Sequence, residues 1–381
     1  MLGRMIFHFV ANPPIHAAED LDIALHLAAG EGFSIYDRGP TTAKGPVYPL
    51  FLCLFLMLGA PADDLWQVVL VQHFLLSWIP YLMYRLSVGL GIEKLGEIVG
   101  WLFALHPSFW YYPTVLENTS LFIFATCLWG IGLVKLRRGF NRLLSAGVGL
   151  WWGLVGIEKP VAFIPMGIVI LFMLSWRKIA LIAMFAMLPV AGWALRGYLV
   201  FGYPTWTKTY AAQHSFAMSW HPSYAFSPRY AVSESIARQI DSLFLLPEKV
   251  GGPALAKLGK EITQQVGTAR IIERTILNAF IFWWIPPRYW GNNSLPFIIA
   301  RKAPVIIINI LFIIGLLYGS RRYKALTLFI LGVSLFFTLF YAVGHVHNTR
   351  YRLDVEWLQL FVCAMGVEKV RQVLLSIISK M

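Results

Sequence analysis

Charged residues are scarce in this sequence. Asp, Glu, Lys and Arg together make up 13% of its 381 residues, whereas hydrophobic residues make up 58%. Soluble domains usually contain about 25% charged residues, so the composition excludes an ordinary soluble fold. Apolar runs recur along nearly the whole chain, and helices satisfy their own backbone hydrogen bonds inside a bilayer. The sequence therefore predicts an all-α polytopic membrane protein.

Cysteine is almost absent, and the three cysteines present have no useful spacing. Cys53, Cys127 and Cys363 all lie inside apolar runs, with no CxxC or Cys/His pattern. This excludes a disulfide framework and a zinc site. His345 and His347 are one residue apart but lack a nearby set of carboxylates, so no metal is predicted.

The sequence also lacks a glycine-rich phosphate-binding loop and a soluble α/β domain. No nucleotide-sugar site and no cofactor are therefore predicted. The net charge is +13, yet no basic patch with interleaved aromatics is present. Nucleic acid is excluded as a partner on that ground. The basic residues instead form short clusters between apolar runs, as in proteins whose partners are membrane lipids.

Nine apolar segments are long enough, or nearly so, to cross a bilayer as helices, which takes about 17–25 residues. They cover residues 66–86, 97–112, 114–134, 143–158, 160–176, 179–199, 302–319, 325–343 and 354–378. Alternate connections carry basic clusters, and the positive-inside rule places those connections in the cytoplasm. The cluster residues are Arg85, Lys94, Lys135, Arg137, Arg138, Arg142, Arg177, Lys178, Arg321, Arg322 and Lys324.

This orientation divides the chain into four regions. Residues 1–65 form an outer first loop with juxtamembrane helices, and residues 66–199 form a membrane bundle of about six spans. Residues 200–301 form an outer region, and residues 302–381 add about three spans. The composition of 200–301 does not favour an independently folded domain. It predicts a partly ordered segment packed on the outer face, with helices around 231–282.

Two features of the first loop complicate the topology. The run from Pro46 to Gly59 is apolar but short for a span, which predicts a helix in the outer interface or one that re-enters the membrane. An outward first loop also needs a preceding span, and Met1–Ala11 has too few apolar residues for one. The sequence therefore predicts either a helix missing from the start or a tail that is translocated unaided.

The first loop also holds an acidic group in a chain otherwise poor in acids. Its members are Glu19, Asp20, Asp22, Glu31 and Asp37. A carboxylate held at the membrane face can act as a general base toward a hydroxyl beside an anionic lipid. The alternative is a solvated loop with ordinary surface acids.

Several segments, taken in order, resemble the C-type membrane glycosyltransferases, which include protein O-mannosyltransferases and the lipid A aminoarabinose transferase. The similar segments are Glu19–Phe33, Pro40–Pro49, Leu105-His106-Pro107 with Thr114-Val115-Leu116-Glu117, Gly156–Pro160 and Arg350–Glu356. The resemblance covers nearly the whole chain and implies a helical bundle with an outer-face loop. Counted back from Ala24, the family's catalytic aspartate falls near His16, and Asp354 stands where proline is usual.

The resemblance implies roles for particular residues. Asp20 is expected to be the catalytic base, with Glu19 and Asp22 as alternates. Lys44, Arg350 and Arg352 are expected to bind the donor phosphate, and Glu117, Glu158 and Tyr351 are possible substrate-binding residues. For the arginines the alternative is contact with lipid headgroups at a helix end. For Glu158 the alternative is a structural ion pair with Lys159 or another basic residue.

The expected activity is transfer of a sugar from a polyprenyl-phosphate donor to a lipid, glycan or protein acceptor. The resemblance places the reaction on the outer face of a bacterial inner membrane. Two alternatives stay open: a transporter or flippase of lipid-linked sugars, and an inactive accessory protein that binds polyprenyl phosphate. Neither alternative requires the acids of the first loop.

Overall fold

The structure is a computed structural model. It describes residues 3, 15–16, 19–202, 209–223, 228–284, 295–344 and 349–380. The predicted extra span or tail at Met1–Ala11 lies outside these residues apart from Gly3, as do His345 and His347.

Every regular element of the described chain is a helix, which confirms the all-α prediction. In chain order the helices are α1 (Glu19–Ala28), α2 (Val47–Met57), α3 (Trp66–Leu90), α4 (Glu93–Leu105), α5 (Pro107–Tyr111), α6 (Thr119–Arg138), α7 (Arg142–Glu158), α8 (Pro160–Met173), α9 (Trp176–Phe201), α10 (Thr209–Ser219), α11 (Glu234–Phe244), α12 (Glu248–Val266), α13 (Thr268–Trp284), α14 (Leu295–Arg322), α15 (Lys324–Val343) and α16 (Leu353–Ile378).

Four helical segments of the described chain are long and apolar enough to cross a membrane. They are Thr119–Arg138, Trp176–Phe201, Lys302–Gly319 and Lys324–Val343. This finding is compatible with an integral membrane protein, whereas the count of nine spans stays a prediction. The shorter helices α2 and α8 are also apolar. For the run from Pro46 to Gly59, the expected short helix is confirmed as α2.

One predicted span differs from the observed helices. The segment 97–112 is broken, because α4 ends at Leu105 and α5 begins at Pro107. His106 between them has extended backbone angles, φ −71° and ψ 116°. A residue that precedes proline is pushed out of the helical region by contact with the proline ring. The apolar composition of the segment did not reveal this break.

Glycines allow close helix crossings in the bundle. A Cβ at Gly149 or Gly153 of α7 would overlap the backbone of α9 at Ile182 or Ala186. A Cβ at Gly315 of α14 would likewise overlap the backbone of α16. Inside lipid, such small residues let helix backbones approach and gain van der Waals contact.

The basic connections meet at one end of the bundle. Arg138, at the end of α6, donates to the carbonyl of Gly89 over 2.9 Å. Lys178, at the start of α9, donates to the carbonyl of Leu136. The first loop meets the other end, where α7 finishes and α6 begins. The orientation of these two ends relative to a membrane stays a prediction.

Residues 209–223 and 228–284 form a helical cap with its own apolar core. The core residues are Tyr210, Ala217, Trp220, Tyr230, Ile236, Ile240, Leu255, Leu258 and Ile262. The helices expected around 231–282 are confirmed as α11, α12 and α13. The described parts of residues 200–301 thus share an apolar core, whereas packing of the segment on the outer face stays a prediction.

The glycine crossing can be tested by substitution. We expect Gly153→Ala to destabilise the protein by about 1–3 kcal/mol, because the added methyl group must displace the α9 backbone. Gly147→Ala in the same helix is the matched control, since a Cβ there meets nothing within 4 Å. Thermal unfolding in detergent measures both variants. Equal unfolding midpoints for Gly153→Ala and Gly147→Ala would contradict the close approach of α7 and α9.

Candidate functional site

Lys44 brings together two acids of the first loop. Its Nζ lies 2.8 Å from Glu19 Oε2 and 3.3 Å from Asp20 Oδ2. The Asp20 side chain is 6% exposed and that of Glu19 is 40% exposed. Three of the residues singled out in the sequence thus meet at one point, although Lys44 lies 24 positions after Asp20.

Asp22 is used differently from its two neighbours. Its Oδ2 accepts a hydrogen bond from the backbone N–H of Tyr36 over 2.5 Å. Tyr36 has a φ of 46°, a left-handed conformation that is strained for a tyrosine. Burial, and then the charges of Glu19 and Asp22, raise the pKa of Tyr36. Asp22 therefore stabilises the turn that follows α1.

The acids of the site surround a buried tyrosine on α2. Burial, followed by the charges of Asp20, Glu117 and Glu158, raises the pKa of Tyr48 well above its usual value. The Tyr48 hydroxyl donates to Gln72 Oε1 over 3.2 Å. Asp20, Glu117 and Glu158 come from three separate segments, so the tertiary fold concentrates negative charge around this position.

Glu158 anchors the start of α2. Its Oε2 accepts from the backbone N–H of Val47 over 2.9 Å, and its Oε1 accepts from the Asn118 amide over 2.5 Å. A Cβ at Gly45 would overlap the Glu158 backbone, so only glycine fits there. Glu117 accepts from the Tyr112 hydroxyl over 3.0 Å. Both predicted substrate-binding acids thus have structural partners in this state.

The alternative pairing of Glu158 with Lys159 is wrong in this structure. Lys159 instead forms a short ion pair with Asp354 and donates to the Thr119 hydroxyl over 3.1 Å. Lys159 and Asp354 are both buried. Adjacent residues at the end of a helix point in different directions, which separates Glu158 from Lys159.

Arg352 lies inside the protein rather than at its surface. Its guanidinium is 3.3 Å from Glu356, and it donates to the carbonyl of Trp283 over 3.2 Å. His106 lies 3.5 Å from the same carboxylate. Arg352 is 1% exposed and paired inside the protein, and its binding of the donor phosphate stays a prediction.

The remaining residues from the last connection are only partly described. The Tyr351 ring stacks on Tyr341 at 4.5 Å between centroids. The side chain of Arg350 lies outside the described residues. Lys44 is therefore the predicted phosphate-binding residue that the structure brings to the first-loop acids.

Sequence reasoning missed two charged residues that hold the first loop. Arg196 donates to the carbonyls of Thr41 and Phe33 over 3.1 and 3.0 Å. Glu248, the first residue of α12, accepts from both Thr41 and Thr42. Arg196 had a signal in the sequence, because a cation inside an apolar segment usually has a specific role. Glu248 had none.

His16 lies beside the segment that leads to Glu117. It pairs through its backbone with Thr114 and Leu116 over 2.9 and 2.8 Å. Its Nε2 lies 2.7 Å from the Tyr111 hydroxyl. Within the described ranges no group of three or more His, Cys, Asp and Glu side chains could hold a metal ion.

The chain was compared with protein-family models, with curated proteins and with solved structures, and nothing in any of the three sets matches it.

The buried Lys159–Asp354 pair gives a prediction about stability. We expect Lys159→Met to destabilise the protein by about 3–5 kcal/mol, because it leaves a buried carboxylate without its cation. The double variant with Asp354→Asn should recover most of that loss. Chemical unfolding in detergent provides the measurement, and Arg229→Met at an exposed pair with Glu273 is the control. If the double variant is no more stable than Lys159→Met, the two charges are not coupled.

Proposed function

We propose that the protein is a glycosyltransferase that takes its sugar from a polyprenyl-phosphate donor. The supporting observation is the meeting of Lys44 with Glu19 and Asp20 at the end of an apolar helical bundle. A half-buried cation suits a lipid phosphate, and an adjacent buried carboxylate suits deprotonation of an acceptor. The proposed setting is the outer face of a bacterial inner membrane, where the lipid-linked donor reaches the site from the bilayer and the acceptor is a lipid, a glycan or a protein.

The proposed reaction is an in-line displacement at the anomeric carbon. Asp20 takes the proton from the acceptor hydroxyl or amine, whose electron pair forms the new bond to that carbon. The bond from the carbon to the phosphate oxygen breaks, and the polyprenyl phosphate leaves with the electron pair. Lys44 stabilises the charge that develops on the departing phosphate. The configuration of the sugar is inverted.

The ion pairs of Lys44 set a condition on this mechanism. The base and the leaving group lie on opposite sides of the reacting carbon during an in-line displacement, so Lys44 cannot stay bound to Asp20 throughout. In the proposed cycle the donor phosphate replaces the carboxylates at Lys44 Nζ. Asp20, no longer bound to Lys44, then takes the proton from the acceptor.

Two other functions compete with this proposal. A transporter of lipid-linked sugars, or an accessory protein that binds polyprenyl phosphate, would use Lys44 without needing a base. Both would show lipid-phosphate binding that does not depend on Asp20. The internal partners of Arg352 fit either the enzyme or these competitors, so the role of Asp20 decides between them.

Separate substitutions in the first loop test the enzyme. We expect Asp20→Asn to lower sugar transfer by about 10²–10⁴-fold, since a general base typically contributes that factor. Asp22→Asn is the matched control, because Asp22 binds the Tyr36 backbone rather than Lys44. Glu19→Gln shows whether the other acid that contacts Lys44 also contributes to sugar transfer.

Transfer is measured by mass spectrometry of the lipid-linked sugars that accumulate in a deletion strain complemented with each variant. Restored turnover by all three variants would remove the catalytic assignment. Loss of turnover with Asp20→Asn but retained binding of polyprenyl phosphate would exclude a simple transporter.

A further inference from the structure

The loop that carries Lys44 has no regular structure, yet much of it is buried. Residues 41–46 connect the first-loop turn to α2, and Thr41 and Thr42 are 0% and 1% exposed. Backbone groups buried in this way need hydrogen-bond partners, because unsatisfied ones cost free energy. The partners of this loop therefore determine where Lys44 lies.

Glu248 of the cap supplies most of the partners at the start of this loop. Its Oε2 accepts from the Thr41 hydroxyl over 2.8 Å and from the Thr42 backbone N–H over 2.7 Å. Its Oε1 accepts a further short hydrogen bond from the Thr42 hydroxyl. Three donors from two adjacent residues thus converge on one carboxylate that is 8% exposed.

The contacts continue from Glu248 to the residue before Lys44. The Thr41 hydroxyl donates to Glu248 and accepts from the backbone N–H of Ala43 over 2.9 Å. Arg196 of the bundle holds the Thr41 carbonyl. These bonds fix the peptide groups on the N-terminal side of Lys44.

The other side of the loop is fixed by the bundle alone. Glu158 binds the Val47 N–H, and Gly45 lies against the Glu158 backbone. Lys44 therefore sits between two carboxylate anchors, one from the cap and one from the bundle. The sequence analysis assigned a role to Glu158 but none to Glu248, the anchor from the cap.

A second contact links the first loop to the cap close to the same place. The Arg38 guanidinium lies 4.1 Å from the centroid of the Phe244 ring, at the end of α11. Within the cap, the His214 ring stacks on the Phe244 ring with 3.9 Å between centroids. The cap thus holds the first loop through a cation–π contact as well as hydrogen bonds, so the position of the cap and that of Lys44 are coupled.

We infer that Glu248 is a positioning residue, which holds residues 41–43 so that Lys44 presents its ammonium group to the donor phosphate. This inference rests on the proposed function. It assigns the cap a direct part in donor binding, although Glu248 itself contacts no substrate. A residue with only a structural role would lower stability without changing the affinity for a lipid phosphate.

The experiment measures the binding of undecaprenyl phosphate to the full chain in lipid nanodiscs. We expect Glu248→Ala to raise the dissociation constant about tenfold, which corresponds to about 1.4 kcal/mol. Lys44→Met should weaken binding at least as much, because it removes a charge-assisted contact. Glu248→Gln should largely restore affinity, since its amide can accept from Thr41 and the Thr42 backbone and donate to the Thr42 hydroxyl.

Glu273→Ala is the matched control in the cap. Glu273 is also a hydrogen-bonded carboxylate, but its partners are Tyr230 and Arg229 of the cap itself. We expect this variant to bind undecaprenyl phosphate as the parent does. Thermal unfolding of every variant identifies any loss of fold. If Glu248→Ala fails to fold, Thr42→Val, which removes one of the three donors, should weaken binding by a smaller factor.

The outcomes separate the inference from the proposed function. If undecaprenyl phosphate binds neither the parent nor Lys44→Met, or binds both equally, the proposed function loses its phosphate site. If Lys44→Met weakens binding while folded Glu248→Ala and Thr42→Val do not, the positioning role is overturned and the proposed function stands. An equal loss with Glu273→Ala would mean that any disturbance of the cap has this effect, which also overturns the specific role of Glu248.

Discussion

Charge buried at the end of an apolar bundle has to find a partner, and this constraint organises the structure around Lys44. An isolated ion inside protein or lipid costs several kcal/mol, at least about 2.5 even on lenient scales. Lys44 meets Glu19 and Asp20, while Lys159 meets Asp354. The first contact joins α1 to the segment before α2, and the second joins the connection between α7 and α8 to α16.

Carboxylates also serve here as anchors for backbone groups. Glu158 binds the N–H of Val47, Asp22 binds that of Tyr36, and Glu248 binds that of Thr42. An irregular loop has no ladder of its own hydrogen bonds, so side chains from neighbouring helices must supply them. These hydrogen bonds hold the loop in one position relative to the helices, and a binding or catalytic site requires such fixed positions.

The bundle and the cap are held together by different contacts. The bundle is held by close glycine crossings, which leave little freedom between α7 and α9. The cap has a separate apolar core and reaches the first loop through Glu248 and Phe244. A ligand that moved the cap would therefore move Lys44 as well.

Local patterns in the sequence determined the helical class and the short helix at Val47–Met57. These depend on composition and on residues near one another in the chain. The tertiary structure alone decided that Glu248 binds Thr41, 207 positions away, and that Lys159 pairs with Asp354 rather than Glu158. It also buried Arg352 against Glu356. Periodicity records which face of a helix is apolar, but the partner of a buried charge depends on how helices pack, and no local pattern contains that information.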